Sequence, residues 1–143
     1  MAVQDPTRIR VLEAAGEEFA EKGFDQATVR EICKKAGANV SSINYHFGDK
    51  ERLYTEAVLE AHRCGSSPLE PSDFERGTPA EQLRRFIQHF LTHVLAVSRC
   101  DTWHHTLLLR EILRPTAACE AVVREAIRPK FAVLLTILGR IHP

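Results

Sequence analysis

The chain has 143 residues, of which 44% are hydrophobic, and equal numbers of acidic and basic side chains give a net charge of zero. This length suffices for one core, or for a small head and a helical body. No apolar stretch reaches the roughly 18 residues of a membrane-spanning helix, and no apolar signal sequence begins the chain, so we expect a cytoplasmic protein without membrane partners. The net charge of zero gives no indication that the protein binds nucleic acid. Any DNA affinity would therefore come from contacts at defined positions rather than from an overall positive charge.

The cysteines and the catalytic residue types give no indication of redox or enzymatic chemistry. No CxxC pair is present among the widely spaced Cys33, Cys64, Cys100 and Cys119, so reduced thiols are expected. The chain has no Ser/His/Asp ordering, no HExxH and no phosphate loop. We therefore expect neither an enzyme nor a bound cofactor.

The N-terminal residues predict an amphipathic helix. Asp5 can serve as N-cap, followed by Pro6 at the first helical position, and the helix runs to about Glu21 before Gly23 ends it. One face of this helix is apolar and comprises Leu12, Ala15, Phe19 and Phe24.

Residues 28–50, TVREICKKAGANVSSINYHFGDK, have the pattern of two short helices joined by a tight turn. Thr28 can cap the first helix and Glu31 can close a capping box. Gly37 supplies a position where a left-handed backbone costs little. The second helix, residues 39–45, carries small polar side chains that can approach base edges closely. The pattern predicts a DNA-binding helix pair, with Val40, Ile43 and Phe47 in its core.

A fourth helix and a linker are predicted next. Asp49 is expected to cap a helix from Lys50 to about His62, and its inward side chains are Leu53, Ala57 and Val58. Residues 64–77 collect Gly, Pro and Ser, which is typical of a linker.

The remaining residues predict helices throughout. Thr78 and Glu81 form a second capping box that opens a long helix. Its apolar residues at helical spacing are Leu83, Phe86, Ile87, Phe90, Leu91, Val94 and Leu95. A further helix covers residues 102–113, and a last segment, residues 117–141, must kink or break near Pro129. Strand patterns are absent, so the predicted fold class is all-α.

Residues 7–60 resemble the N-terminal domain of TetR/AcrR-family transcriptional regulators. The shared motifs are EKGF at 21–24, TVREI at 28–32, the Ala-Gly turn at 36–37, YHF at 45–47 and KE at 50–51. In one departure, Ile43-Asn44 replaces the Leu-Tyr that is common in the family, so the usual phosphate-contacting tyrosine is missing there. The resemblance implies a three-helix helix-turn-helix head.

A second resemblance concerns the C-terminal half. The motifs REILRPT at 110–116 and IRP at 127–129 are similar to the C-terminal domain of a TetR subgroup associated with drug efflux and antibiotic tolerance. This implies a helical body that binds a small ligand and dimerises through its last helices. Because such proteins usually continue beyond the position of Pro143, the body is expected to be truncated, and residues 117–141 are the remaining candidate for partner contact.

The resemblance implies an organisation and two sets of site residues. The domains are a DNA-binding domain at 1–49, a connecting helix at 50–63, a linker at 64–77 and a ligand-binding and dimerisation body at 78–143. Arg30 would contact guanine; Ser41, Ser42 and Asn44 would face base edges; and Thr28, Tyr45, His46 and Lys50 would hold phosphates. Asn39 completes the DNA-binding set. The implied ligand-binding residues are Phe86, Phe90, His93, Trp103, Leu107 and Arg110.

The implied function is a repressor that binds a palindromic DNA operator as a homodimer and is released by a small-molecule inducer. One alternative is a ligand-binding or protein-interaction module with weak DNA affinity. The other is a metal sensor that uses His89 and His93, which lie one helical turn apart.

Overall fold

The computed structural model describes residues 5–64, 70–99 and 102–142, except for the side chains at 71, 94 and 96–99. In chain order the helices are α1 (Pro6–Gln26), α2 (Val29–Ala36), α3 (Val40–His46), α4 (Lys50–Arg63), α5 (Pro79–Arg99), α6 (Trp103–Leu113), α7 (Ala118–Val122) and α8 (Arg128–Ile141). No strand occurs in these ranges, and the predicted all-α fold with a helix-turn-helix head and a helical body is confirmed. Within the same ranges, no helix combines the length and the apolar content that crossing a bilayer requires.

The first helix begins and breaks where its sequence predicts. Oδ1 of Asp5 accepts a 2.8 Å hydrogen bond from the Thr7 N–H, directly before Pro6 in the first turn. At Gly23 the backbone leaves the helical region, with φ at 80° and ψ at 171°. A positive φ suits glycine because it has no Cβ. One further turn follows, closed by a 3.2 Å hydrogen bond from the Ala27 N–H to the Gly23 carbonyl.

The helix pair α2 and α3 is positioned by its own capping residues. Thr28 and Glu31 form the predicted capping box, in which the Thr28 hydroxyl accepts from the Glu31 N–H at 3.2 Å. Gly37 ends α2 in a left-handed conformation, with φ at 62°. Asn39 then caps α3, its Oδ1 accepting from the Ser42 N–H at 2.8 Å. The two helices are therefore separated by a turn of fixed geometry.

The main core joins the head to part of the body. Phe19 of α1 packs edge-on against Tyr54 of α4, with ring centroids 4.9 Å apart. Other fully buried members are Val11, Ile32, Ile43, Leu53 and Val58. Trp103 and Leu107 of α6 belong to the same core. The helix-turn-helix head and α6 are consequently packed together.

Polar contacts also hold α6 against α1. Nε1 of Trp103 donates a 2.8 Å hydrogen bond to Oε2 of Glu13. The Arg110 guanidinium donates to the carbonyl oxygens of Ala20 and Glu21, each at 2.6 Å. Arg110 thereby satisfies carbonyls in the last regular turn of α1, which no intrahelical N–H would pair.

A second, smaller core lies between α5 and α8. Its buried members are Phe74, Phe86 and Ile137. Phe74 belongs to a 3₁₀ turn, Pro71–Phe74, and its ring centroid lies 5.8 Å from that of Phe86. This turn falls within the predicted linker, so part of that segment packs against the body. The predicted capping box at the start of α5 is confirmed by a 2.7 Å hydrogen bond from the Thr78 N–H to Glu81.

The kink or break predicted near Pro129 is replaced by a π-helical turn, and the helical run from residue 118 to residue 141 is not interrupted. A π-helical turn, Val123–Ile127, joins α7 to α8, and the proline occupies the first turn of α8. Because proline lacks a backbone N–H, the first turn is where a helix tolerates it best.

The predicted apolar face of α5 is only partly buried. Phe86 is buried, whereas the exposed members are Ile87, Phe90, Leu91 and Leu95. The Val94 side chain lies outside the described residues.

Candidate nucleic-acid interface

Two apolar side chains fix α3, the helix predicted to contact DNA bases (the recognition helix), against the rest of the head. Ile43 is fully buried and Phe47, directly after the helix, is buried as well. Both were predicted as core residues, and both predictions are confirmed. The Arg8 guanidinium of α1 lies 5.0 Å from the centroid of the Phe47 ring and covers the end of α3.

The outward face of α3 is formed by Val40, Ser41, Asn44 and Tyr45. Residues three and four apart lie side by side on a helix, so these side chains share one surface. Tyr45 is 84% exposed and Val40 is 51% exposed. The prediction that Val40 is a core residue is wrong. Val40 is the first residue of α3 and lies outside the core, whereas Ile43, one turn later, is buried in it. Val40 therefore belongs to the exposed face of α3. The polar residues alone had predicted that this face contacts DNA.

Three predicted DNA-binding residues already make capping contacts. The Thr28 hydroxyl donates a 2.8 Å hydrogen bond to Glu31, and the Ser42 hydroxyl donates a 3.1 Å bond to Oδ1 of Asn39. These bonds fix the ends of α2 and α3. The direct roles in DNA binding predicted for Thr28, Asn39 and Ser42 stay predictions.

Several positive charges near the helix pair are matched by carboxylates. Lys22 lies 3.0 Å from Glu18 and 2.8 Å from Glu31, and Lys35 lies 3.1 Å from both Glu17 and Glu18. The Lys22 ammonium, followed by the Thr28 hydroxyl, lowers the pKa of Glu31 to about 2.

Arg30, in the first turn of α2, is by contrast exposed. In the described ranges it forms no ion pair with a carboxylate. Its charge therefore remains available to a nucleic acid.

His46 and Lys50 lie at the edge of this surface. Nε2 of His46 is 3.7 Å from Oδ2 of Asp5, and its ring contacts those of Tyr45 and Phe47. Nζ of Lys50, at the start of α4, lies 4.6 Å from the centroid of the Phe24 ring. Both positions border the outward face of α3, and the phosphate contacts predicted for them remain predictions.

The residues predicted to bind a ligand do not form one cluster. Trp103 and Leu107 lie in the main core, whereas Phe86 lies in the smaller core. Phe90 is exposed, and Arg110 is held by α1 carbonyls. His93, in turn, is buried beside His62 of α4. The ligand-binding set as a whole stays a prediction.

An open cleft of about 310 Å³ lies between the start of α4 and α7. Charged side chains of both signs line it, including Asp49, Arg52 and Glu120. None of the predicted ligand-binding residues is among its lining residues.

The two histidines of the metal hypothesis contact different rings. His89 packs against Phe74, with ring centroids 6.3 Å apart, whereas His93 packs against His62, with centroids 5.0 Å apart. In the part of the chain that the structure describes, no three or more His, Cys, Asp or Glu side chains are grouped as metal ligands would be.

Both halves of the chain match sequence models of known protein families. Residues 11–57 match the sequence model described as "Bacterial regulatory proteins, tetR family". Residues 79–143 match the model of the C-terminal domain of the "HTH-type transcriptional dual regulator CecR".

Individual relatives align with most of this chain but are themselves longer than the aligned part. The chain is 30% identical over 121 residues to the probable HTH-type transcriptional regulator YttP of Bacillus subtilis, covering 83% of this chain and 55% of that protein. It is 28% identical over 139 residues to the dual regulator CecR of Shigella flexneri, covering 91% of this chain and 62% of that protein. The chain thus spans about half the length of these curated relatives.

Solved structures show the same fold. The hemolysin II transcriptional regulator HlyIIR is 30% identical, with a TM-score of 0.60, and the match covers 94% of this chain and 72% of that one. An HlyIIR variant with residues 170–185 substituted by alanine is also 30% identical, with a TM-score of 0.58 over 97% of this chain and 75% of that one. From its helix-turn-helix head, its helical body and these matches, the chain belongs to the tetR family of bacterial transcriptional regulators.

Proposed function

We propose that this chain represses transcription by binding a palindromic DNA operator as a homodimer, and that a small-molecule inducer releases it. The observation that carries this proposal is the outward face of α3, where Ser41, Asn44 and Tyr45 are exposed while Ile43 anchors the helix in the core. A short helix presented in this way fits a DNA major groove. Such a protein acts in the cytoplasm, where bacterial DNA lies.

Each exposed side chain has a chemical partner in DNA. The Arg30 guanidinium fits the O6 and N7 acceptors of guanine, and the Asn44 amide fits the N6 and N7 groups of adenine. Ser41 is short enough to approach either base type. The half-exposed Val40 offers methyl groups that suit the methyl group of thymine. Tyr45 on this face, together with the nearby His46 and Lys50, would contact phosphates.

The dimer is proposed from the way a helix-turn-helix head reads DNA, whereas repression is supported by the name of one relative. Two copies would place their α3 helices in successive major grooves, about 34 Å apart, and read an inverted repeat. The relative AcnR of Corynebacterium efficiens, 44% identical over 54 residues, is named a transcriptional repressor. CecR is named a dual regulator, so activation at some promoters is compatible with the same DNA-binding head.

Contacts of α6 with α1 and α4 could transmit a conformational change from a bound ligand to the DNA-binding head. Arg110 holds the end of α1, and Glu111 accepts a 2.7 Å hydrogen bond from Tyr54 of α4. A ligand that shifts α6 or α4 would therefore move the head with it. Release requires the ligand to bind the DNA-free form more tightly, and DNA must then weaken ligand binding by the same factor.

Selection of bound sequences from a random duplex pool at near-physiological salt tests the proposal. We expect enrichment of an inverted repeat whose half-sites lie about one helical turn apart. Asn44→Ala should change the preferred base at one position of each half-site, and Gln88→Ala, at an exposed position of α5, should leave the enriched sequence unchanged. No enrichment, either by this chain or by a longer version with the remaining body, would contradict operator binding.

The ion pairs of Lys22 and Lys35 favour one alternative, an interaction module with weak DNA affinity, because they neutralise two positive charges of the head. Salt dependence separates the two functions. An operator-binding dimer should lose affinity steeply as salt rises, with a slope set by its phosphate contacts. A shallow slope together with no sequence preference would favour the interaction module.

A further inference from the structure

A basic cluster formed by His62, His93 and Lys130 lies where the end of α4 meets α5 and α8. The ring centroids of His62 and His93 are 5.0 Å apart. Lys130 of α8 is close enough that its charge lowers the pKa of both imidazoles. The helices α4, α5 and α8 thus each contribute one base to this cluster.

His93 contributes a buried nitrogen without a partner. Its side chain is 7% exposed, and its Nδ1 forms no hydrogen bond. Buried polar atoms are normally hydrogen-bonded, so an unpaired one is a sign that a further group belongs beside it. In a head-to-body junction, that group would be a ligand or an ordered water molecule.

The electrostatic surroundings of the cluster are positive. Burial, followed by the charges of Lys130, His93 and Arg63, lowers the pKa of His62 to about 4. Burial, followed by Lys130 and His89, lowers the pKa of His93, and burial lowers the pKa of Lys130 itself.

No carboxylate balances these bases. Across residues 5–64, 70–99 and 102–142, none of the three cluster members forms an ion pair with an acidic side chain. The cluster therefore lacks a negative charge and has unused donors.

An anion fits this chemistry better than a metal ion does. A divalent cation needs additional ligands, and no group of three or more metal-binding side chains is present among the described residues. The Lys130 ammonium would also repel a cation. A carboxylate or phosphate oxygen can instead accept from the ammonium and from both imidazolium rings.

We propose that the basic cluster of His62, His93 and Lys130 binds the anionic group of a small-molecule ligand, such as a carboxylate. This inference rests on the proposed function, for which it names the chemical class of the inducer. Binding would draw protons onto the imidazoles from solvent, so affinity should increase as the pH falls toward the histidine pKa values of the bound form.

The position of the cluster makes it suitable for regulation. His62 lies in the last turn of α4, and the first residues of that helix border the recognition helix. An anion held between His62, His93 and Lys130 would draw the end of α4 toward α5 and α8. Because α4 also packs in the core of the head, such a movement changes the orientation of α3 relative to the body.

Side-chain NMR of the histidines in the 143-residue chain tests the proposal directly. The probes are benzoate, inorganic phosphate, benzamide as the uncharged counterpart of benzoate, and Zn²⁺ alone. We expect benzoate or phosphate to raise the pKa of both His62 and His93 by about one pH unit, which corresponds to a tenfold preference for the protonated rings. Benzamide and Zn²⁺ should leave both values unchanged.

Lys130→Met is the informative variant because it keeps the side-chain length and removes the charge. Without any anion it should raise the pKa of both histidines, since the repulsion is gone, and it should weaken benzoate binding at least about tenfold. Arg128→Met removes an exposed charge two positions earlier on the same helix and serves as the matched control, with no change in either property.

The outcomes separate this proposal from the proposed function. If neither anion alters the histidine signals, if benzamide acts as well as benzoate, or if only Zn²⁺ has an effect, the anion site is overturned. The NMR experiment contains no DNA, so a chain that binds benzoate but enriches no operator contradicts the proposed function alone. A chain that enriches an operator but binds no anion contradicts only the inference about the cluster.

Discussion

The phenol hydroxyl of Tyr54 on α4 donates a 2.7 Å hydrogen bond to Oε2 of Glu111 on α6, and both side chains are buried. Oε1 of Glu111 accepts from the N–H of Thr116 at 2.7 Å and from its hydroxyl at 3.0 Å. Burial, followed by the hydrogen bond to Glu111, raises the pKa of Tyr54, so the phenol keeps its proton at neutral pH. The connecting helix and the body are therefore joined by a directional contact as well as by apolar packing.

Tyr54→Phe should lower the free energy of unfolding by about 1–2 kcal/mol, because it removes a buried donor and leaves the Glu111 carboxyl group less well satisfied. Urea unfolding with an unchanged m-value measures this loss. Tyr45→Phe is the matched control: the same atom is removed from an exposed ring, and the change should stay within about 0.5 kcal/mol. Equal effects of the two substitutions would show that the contact between α4 and α6 does not stabilise the fold.

Gly16→Ala should separate α6 from α1. A Cβ built on Gly16 would lie 2.4 Å from Cδ2 of the Trp103 ring, a distance that no side-chain contact tolerates. Relief requires the indole to move, so we expect a loss of about 1–3 kcal/mol in the free energy of unfolding. Chemical denaturation followed by the fluorescence of the single tryptophan, Trp103, reports both the stability and the displaced ring.

Gly139→Ala is the control for Gly16→Ala. Apart from its chain neighbours and the backbone of its own helix, no heavy atom lies within 4 Å of a Cβ built on Gly139, which is an exposed position inside α8. Since alanine favours a helix over glycine, this substitution should be neutral or stabilise the protein by up to about 1 kcal/mol. If both substitutions had the same sign and size, close packing of Trp103 on α1 would not be the cause.

Features encoded by neighbouring residues were predictable from the sequence. The capping boxes at Thr28 and Thr78 depend on side chains three positions apart, and the turn at Gly37 depends on one residue. The missing N–H of proline indicated an irregularity near Pro129, but not that a π-helical turn would accommodate it without a break. The head and its recognition helix could therefore be located without any knowledge of tertiary contacts.

Contacts between distant residues could not be predicted in the same way. The hydrogen bonds from Trp103 to Glu13 and from Arg110 to Ala20 each span 90 positions. Helical periodicity identifies which side chains share a face, but it does not identify what covers that face. For this reason the exposed Phe90 could not be distinguished from the buried Phe86 of the same helix.

The partly buried histidine His62 should make stability depend on pH. Its folded pKa of about 4 lies below the ordinary value of 6.5, so the unfolded chain binds more protons in that interval. Stability is then greatest above pH 6.5 and falls as the pH decreases toward 4. From about pH 7 to about pH 5 the loss should be about 2 kcal/mol.

Urea unfolding at several pH values measures this dependence. His62→Leu should make the profile less steep over the interval, and the lowered pKa of His93 should account for part of the slope that remains. His142→Leu, at an exposed position near the end of the chain, should leave the slope unchanged. The lowered pKa of Glu31 acts in a more acidic range, between its ordinary 4.5 and about 2, and does not obscure the result. An unchanged slope in His62→Leu would contradict the burial of a neutral imidazole at this position.

The different surroundings of Val40 and Ile43 lead to opposite expectations for two apolar residues that lie three positions apart on α3. Ile43→Ala removes a fully buried side chain and should cost about 2–5 kcal/mol of unfolding free energy. Val40→Ala affects a half-exposed side chain, so stability should change by less than about 1 kcal/mol, while discrimination for thymine at one operator position should weaken by about 1 kcal/mol. Unfolding curves and competition binding against single-base operator variants measure the two effects. If Val40→Ala lowered stability as much as Ile43→Ala and left base preference unchanged, Val40 would be a core residue and not part of the DNA-contacting face.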